Sequence, residues 1–187
     1  MTSFYAEDEL AELGLKKYGK NVLISRKCSI YSPENISLGD NVRIDDFCIL
    51  SGDITLGSYI HIAAYCALYG RFGIEIEDYS GLSLRCIILS ASDDYSGDYL
   101  IGTTKPKGTT NVTGGKVTLR KYVSIAAGSV IFPNITIEEG SAVGAMSLVK
   151  KNLGEWGIYA GIPAKKIKDR HKGLLNYIIP SPVEPVK

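Results

Sequence analysis

Few side chains in this sequence are suited to chemistry, and their spacing is informative. Only two histidines occur in 187 residues, His61 and His171. Imidazole titrates near neutrality and is the commonest general base. His61 follows Ile60 in an alternating segment, so if Ile60 faces a core, His61 faces away from it. His171 stands among Lys165, Lys166, Lys168, Arg170 and Lys172, a cationic run suited to phosphate groups. Asp93 is a second candidate base, provided that burial raises its carboxyl. It could instead orient His61 or bind a hydroxyl group. Asp94 and Tyr95 beside it are candidate substrate contacts. Cys28, Cys48, Cys66 and Cys86 form no Cys-x-x-Cys pair, and two histidines are too few for a metal centre, so no metal is expected. The cysteines read as a ladder of small buried thiols.

These groups need a frame, and a repeat of six supplies it. From Leu38 every sixth residue is apolar: Leu38, Ile44, Leu50, Leu56, Ile62 and Leu68, then, after two inserted residues, Ile76, Leu82 and Ile88. The register returns at Leu119, Ile125, Ile131, Ile137, Val143 and Val149. A second series four residues on (Val42, Cys48, Ile54, Ile60, Cys66, Ile74, Ser80, Cys86 and onward) is small or β-branched and never charged. Turn formers such as Gly39-Asp40-Asn41 and Glu138-Glu139-Gly140 lie between. No helix has an apolar period of six. Short strands joined by tight turns do, and three hexapeptides close one triangular coil, stacked at about 4.8 Å on the next. Fifteen hexapeptides predict about five coils.

Outside the repeat, residues 3–17 carry Ala6, Leu10 and Leu13 on one helical face, with acids first and Lys16 and Lys17 last, which predicts an amphipathic helix. Residues 92–116 interrupt the repeat without periodicity. A loop this long in a compact domain is functional or disordered, and its tyrosines and mixed charge favour an ordered substrate or subunit contact. The expected organisation is an N-terminal helix over 1–20, the repeat over 21–157 with the 92–116 loop, and a C-terminal cap over 158–187. That cap would be a helix presenting Leu174, Leu175, Tyr177 and Ile178, followed by a frayed tail over 180–187.

The net charge of +1 excludes a general basic field for nucleic acid. No apolar run is long enough to span a bilayer. The acidic start lacks the apolar core of a secretory signal, so a cytoplasmic protein is expected.

The run from Gly128 to Val149, followed by Tyr159-Ala160-Gly161-Ile162-Pro163-Ala164-Lys165, resembles the coenzyme A-binding end of hexapeptide-repeat acyltransferases. It is most similar to the maltose, galactoside and polysaccharide O-acetyltransferase group, and the similarity covers roughly 36–170. The resemblance implies a left-handed parallel β-helix and a homotrimer with active sites between subunits, using acetyl-CoA as co-substrate. It places coenzyme A contacts at Ser124, Ala127, Ala145, Lys150, Lys151, Lys165 and Lys168. The position of the family's catalytic His is occupied by Asp93, that of its Asn partner by Tyr65, and that of the aromatic beside the coenzyme by Ser124. With the family base absent, His61 is the replacement candidate, with Asp93 in support and Tyr65 as an acceptor contact.

The leading expectation is therefore an O-acetyltransferase acting on a sugar or glycan precursor. The alternatives are an N-acetyltransferase of a nucleotide-linked amino sugar, whose amine needs less help from a base, and a non-catalytic β-helix scaffold.

Overall fold

A computed structural model describes residues 3–178. The chain winds into a left-handed parallel β-helix of triangular section. Its first face stacks Leu23–Ile24, Val42–Ile44, Ile60–Ile62, Gly81–Leu82, Ser124–Ile125, Ala142–Val143 and Gly157–Ala160, all parallel. Seven such strands mean seven coils, not five. The extra first coil escapes the period because a 3₁₀ turn at Pro33–Asn35 shifts it, and the last because its inward residues are Leu153 and Tyr159. The second face carries Ile87–Leu89, Val130–Ile131 and Leu148–Val149, and the third Val117–Leu119 and Thr136–Ile137. Two long strands, Ile49–Leu56 and Ala67–Ile76, turn from the second face to the third without a break.

The period of six marks the core as expected. All fifteen residues of the first series are at most 3% exposed. They meet in register, as in the line Ile44, Ile62, Leu82, Ile125 and Val143. Each coil therefore closes the apolar end of its neighbour, and the apolar area buried drives the stack.

The termini differ from expectation. The N-terminal helix spans only Glu7–Glu12, with Leu10 buried, and Lys16 and Lys17 lie beyond it. The C-terminal helix is absent. Lys165–Asp169 is instead a strand antiparallel to Gly157–Ala160, followed by a 3₁₀ turn at Gly173–Tyr177. The free strand edge of the last coil takes this segment as its partner, which overrides the helix propensity of lysine. The expected tail over 180–187 lies outside the described residues. The 92–116 excursion leaves the helix as a hairpin, with Ala91–Asp93 antiparallel to Val112–Gly114.

Candidate active site

Two rows of outward side chains cross the first face. One row reads Arg43, His61, Gly81, Ser124 and Ala142. The other, two residues further along each strand, reads Asp45, Ala63, Ser83, Ala126 and Gly144, each linked through its N–H to the next coil. A shallow depression of about 480 Å³ lies over both, lined by His61, Ala63, Gly81, Ser83, Ser124, Ala126 and Ala142. Towards the C-terminal coils its floor is nearly free of side chains. Towards the N-terminal coils it is charged.

The charged end is a chain of ion pairs. Arg43 Nε donates to Asp45 Oδ1 and His61 Nε2 donates to Asp45 Oδ2, both at 2.7 Å. Burial pushes the Asp45 carboxyl up, but the His61 and Arg43 hydrogen bonds outweigh it and hold the group below its ordinary value. An ionised carboxylate only accepts, so the His61 proton sits on Nε2, leaving Nδ1 as the free nitrogen of the neutral ring. His61 points outward as expected, but Asp45 of the same chain orients it, not Asp93. Sequence reading missed Asp45 because the pair forms across one coil, 16 residues apart.

Beneath the floor, the thiol ladder has a structural task. Cys28, Cys48, Cys66 and Cys86 donate to the carbonyls of Asp45, Ala63, Ser83 and Ala126 at 3.0–3.2 Å. Ser129 continues the column by donating to Gly144 O at 3.0 Å. The inward thiols and hydroxyls thus satisfy the row of carbonyls that carries the groove floor. Neighbouring thiols and burial hold Cys28 and Cys66 well above the ordinary thiol range.

The C-terminal strand is fastened beside the groove by Arg170. Its guanidinium donates to Tyr122 O and Gly140 O at 2.9 Å and to Ser124 Oγ at 3.3 Å. Lys165 and Lys168 are exposed on this strand, and Lys150 and Lys151 at the corner between the second and third faces. These four cations are therefore available to phosphate, although the strand that carries two of them was expected as a helix.

Of the remaining expected residues, Ser124 lines the groove, while Ala127 and Ala145 stack on the adjoining corner. Tyr65 is not in the groove. It occupies a corner at positive φ, stacks on Phe47 and lies under the Arg85 guanidinium. Asp94 accepts from Ser96 N and Asn111 Nδ2, a turn-holding role, and Tyr95 is exposed. Asp93 is half-buried in the hairpin. A corner and the strand Ile87–Leu89 lie between it and Ser83 along the chain. Ser83 was missed, since a serine in a hexapeptide is ordinary. Among the described residues no group of three or more His, Cys, Asp or Glu could hold a metal ion, and no helix is long and apolar enough to cross a membrane.

No family model matches the chain. It is 43% identical over 176 residues to the dTDP-4-amino-4,6-dideoxy-D-glucose acyltransferase of Escherichia coli, covering 92% of each. It superposes with a TM-score of 0.92 on AntD, an N-acyltransferase from Bacillus cereus solved with dTDP and 3-hydroxybutyryl-CoA, at 56% identity over 95% of each chain. Further structures of that protein carry a substitution at one serine or at an aspartate ten positions later, with coenzyme A and dTDP or its amino sugar bound. A maltose O-acetyltransferase from Clostridium difficile shares the fold, at 24% identity and a TM-score of 0.55.

Proposed function

The chain belongs to the hexapeptide-repeat acyltransferases, enzymes that use an acyl-CoA co-substrate, and from that premise we propose that it acylates the amine of a dTDP-linked 4-amino sugar. The relatives named for this chemistry favour the amine over the hydroxyl acceptor that the hexapeptide motifs first suggest. The observation that carries the reading is a spacing. Ser83 stands on the groove floor and Asp93 follows ten residues later, the interval that separates the serine and the aspartate substituted in the Bacillus cereus protein.

In this reading the pantetheine arm lies over Ala126, Ala142 and Gly144, where no side chain obstructs it. Lys150, Lys151, Lys165 and Lys168 meet the phosphates. Ser83 orients the acceptor amine, and Asp93 of an adjacent subunit takes its proton. The nitrogen attacks the thioester carbonyl, the C–N bond forms, the C–S bond breaks, and the coenzyme leaves as a thiolate that is then protonated. Holding the reactants in this geometry supplies much of the rate. In this reading a second copy completes the site, as in a homotrimer. Light scattering then gives three times the 20.3 kDa chain mass. The proposed location of the reaction is the cytoplasm.

A second assignment of the base rests on the Asp45–His61 couple, whose Nδ1 is free to accept a proton. Asp93→Asn and His61→Asn separate the two, since the base variant loses far more kcat.

The test of the function is coenzyme A release with acetyl-CoA and either dTDP-4-amino-4,6-dideoxyglucose or its 4-hydroxy counterpart. Turnover with the amine alone is expected. Turnover with the hydroxyl sugar alone would return the reading to O-acetylation.

A further inference from the structure

Across the first face at the middle of the groove, one outward row passes from the His61 imidazole to the Ser124 hydroxyl over Gly81, which has no side chain. The backbone does not demand this glycine. Its φ is not in the left-handed region. A Cβ there would meet nothing nearer than the His61 carbonyl oxygen, at 3.3 Å. Gly39 and Gly57 are different, because a Cβ on either would lie 2.6 or 2.9 Å from backbone of the next coil. Packing explains those two glycines and leaves Gly81 to be explained by the space above it.

That space is well placed. Ser83 lies two residues on, just past the end of that strand and on the same side, about 7 Å away. It also opens into the same 480 Å³ depression. An acyl carbon brought to an amine at Ser83 therefore has its chain beside Gly81, between His61 and Ser124.

We propose that the gap over Gly81 is the acyl pocket and that Gly81 sets the length of acyl chain the enzyme transfers, admitting short chains of two to four carbons. The inference rests on the reading of this groove as the acyl-CoA site and adds the determinant of donor choice. His61 and Ser124 give the gap polar walls, and Ser124 is fixed there by Arg170. His61 and Ser124 stand two coils apart, about 10 Å, so the gap between them suits a short chain and not a long one.

The experiment measures kcat/KM for acetyl-, propionyl- and butyryl-CoA with one amino-sugar acceptor, in the wild type, Gly81→Ala and Gly81→Val. Free coenzyme A binding by calorimetry runs alongside. The wild type is expected to use all three donors. Gly81→Val is expected to lower the butyryl-to-acetyl ratio at least tenfold, the scale at which a pocket discriminates one methylene. Gly81→Ala, which needs only a small shift of the His61 carbonyl, gives an intermediate ratio and keeps the proposal testable if the valine variant fails to fold. Free coenzyme A, which carries no acyl chain, should still bind all folded variants. An unchanged ratio in the variants, or a wild type confined to acetyl-CoA, overturns the inference while leaving the groove reading intact. Failure of the wild type to bind any coenzyme A overturns both.

Discussion

The two ends of one groove are built on the same strands and differ in almost everything above them. Towards the N-terminal coils the outward rows carry Arg43, Asp45 and His61, locked together by hydrogen bonds of 2.7 Å. Towards the C-terminal coils the same positions hold Ala126, Ala142 and Gly144. The core beneath both is the same apolar stack, so the scaffold tolerates either surface. Under the proposed function, each end suits a different reactant. A long flexible arm needs a bare channel, whereas a polar acceptor needs fixed hydrogen-bonding groups. Ser83 and Gly81 lie at the junction, where the two reactants must meet.

The comparison can be broken from either end. The largest effect is expected from Asp93→Asn, which removes the proposed base: kcat should fall about 100-fold or more while acetyl-CoA affinity holds. Steady-state kinetics with calorimetry checks it. Next is Ala126→Leu, which puts a side chain into the bare half. Acetyl-CoA at 100 times its Kd should stabilise the wild type by about 2.7 kcal/mol, and the variant by little. Thermal unfolding with NAD as a control nucleotide measures this, and Asp45→Ala should retain the shift.

A smaller effect concerns the floor itself. Cys66→Val removes the thiol that donates to Ser83 O and should cost about 1–3 kcal/mol, whereas Cys66→Ser keeps a donor and should cost less. Denaturant unfolding separates them. The smallest is pH dependence at the charged end. The Asp45 carboxyl is held below its ordinary value in the folded chain, so its contribution is present above the ordinary carboxylate range and is lost as pH falls through the lowered folded value. Asp45→Ala should flatten that acid limb, with a change of about 1 kcal/mol at pH 7. An acid limb unchanged by the substitution would exclude the pair as its source.

The core was legible because one residue in six is a constraint that each coil repeats, and the fifteen residues that carry it are all apolar and buried on either side of two interruptions. His61 was legible through alternation with Ile60. Asp45 was not, because its partner lies a coil away and its spacing from His61 follows from coil length, not from any local pattern. Ser83 was hidden among serines with structural duties, such as Ser129. The C-terminal strand was misread because Lys165–Asp169 has no alternation of its own. Its form comes from the edge it pairs with, Gly157–Ala160. Tyr65, expected as an acceptor contact, stands in an aromatic corner of its own chain against Phe47.

The measurement that tests this division most directly is a crystal structure of the protein with coenzyme A and dTDP. The account predicts the pantetheine arm over Ala126 and Ala142, the thiol beside Gly81 and Ser83, and Asp93 of a second copy facing that thiol. Coenzyme A bound on another face, or a site completed without a second copy, would contradict it.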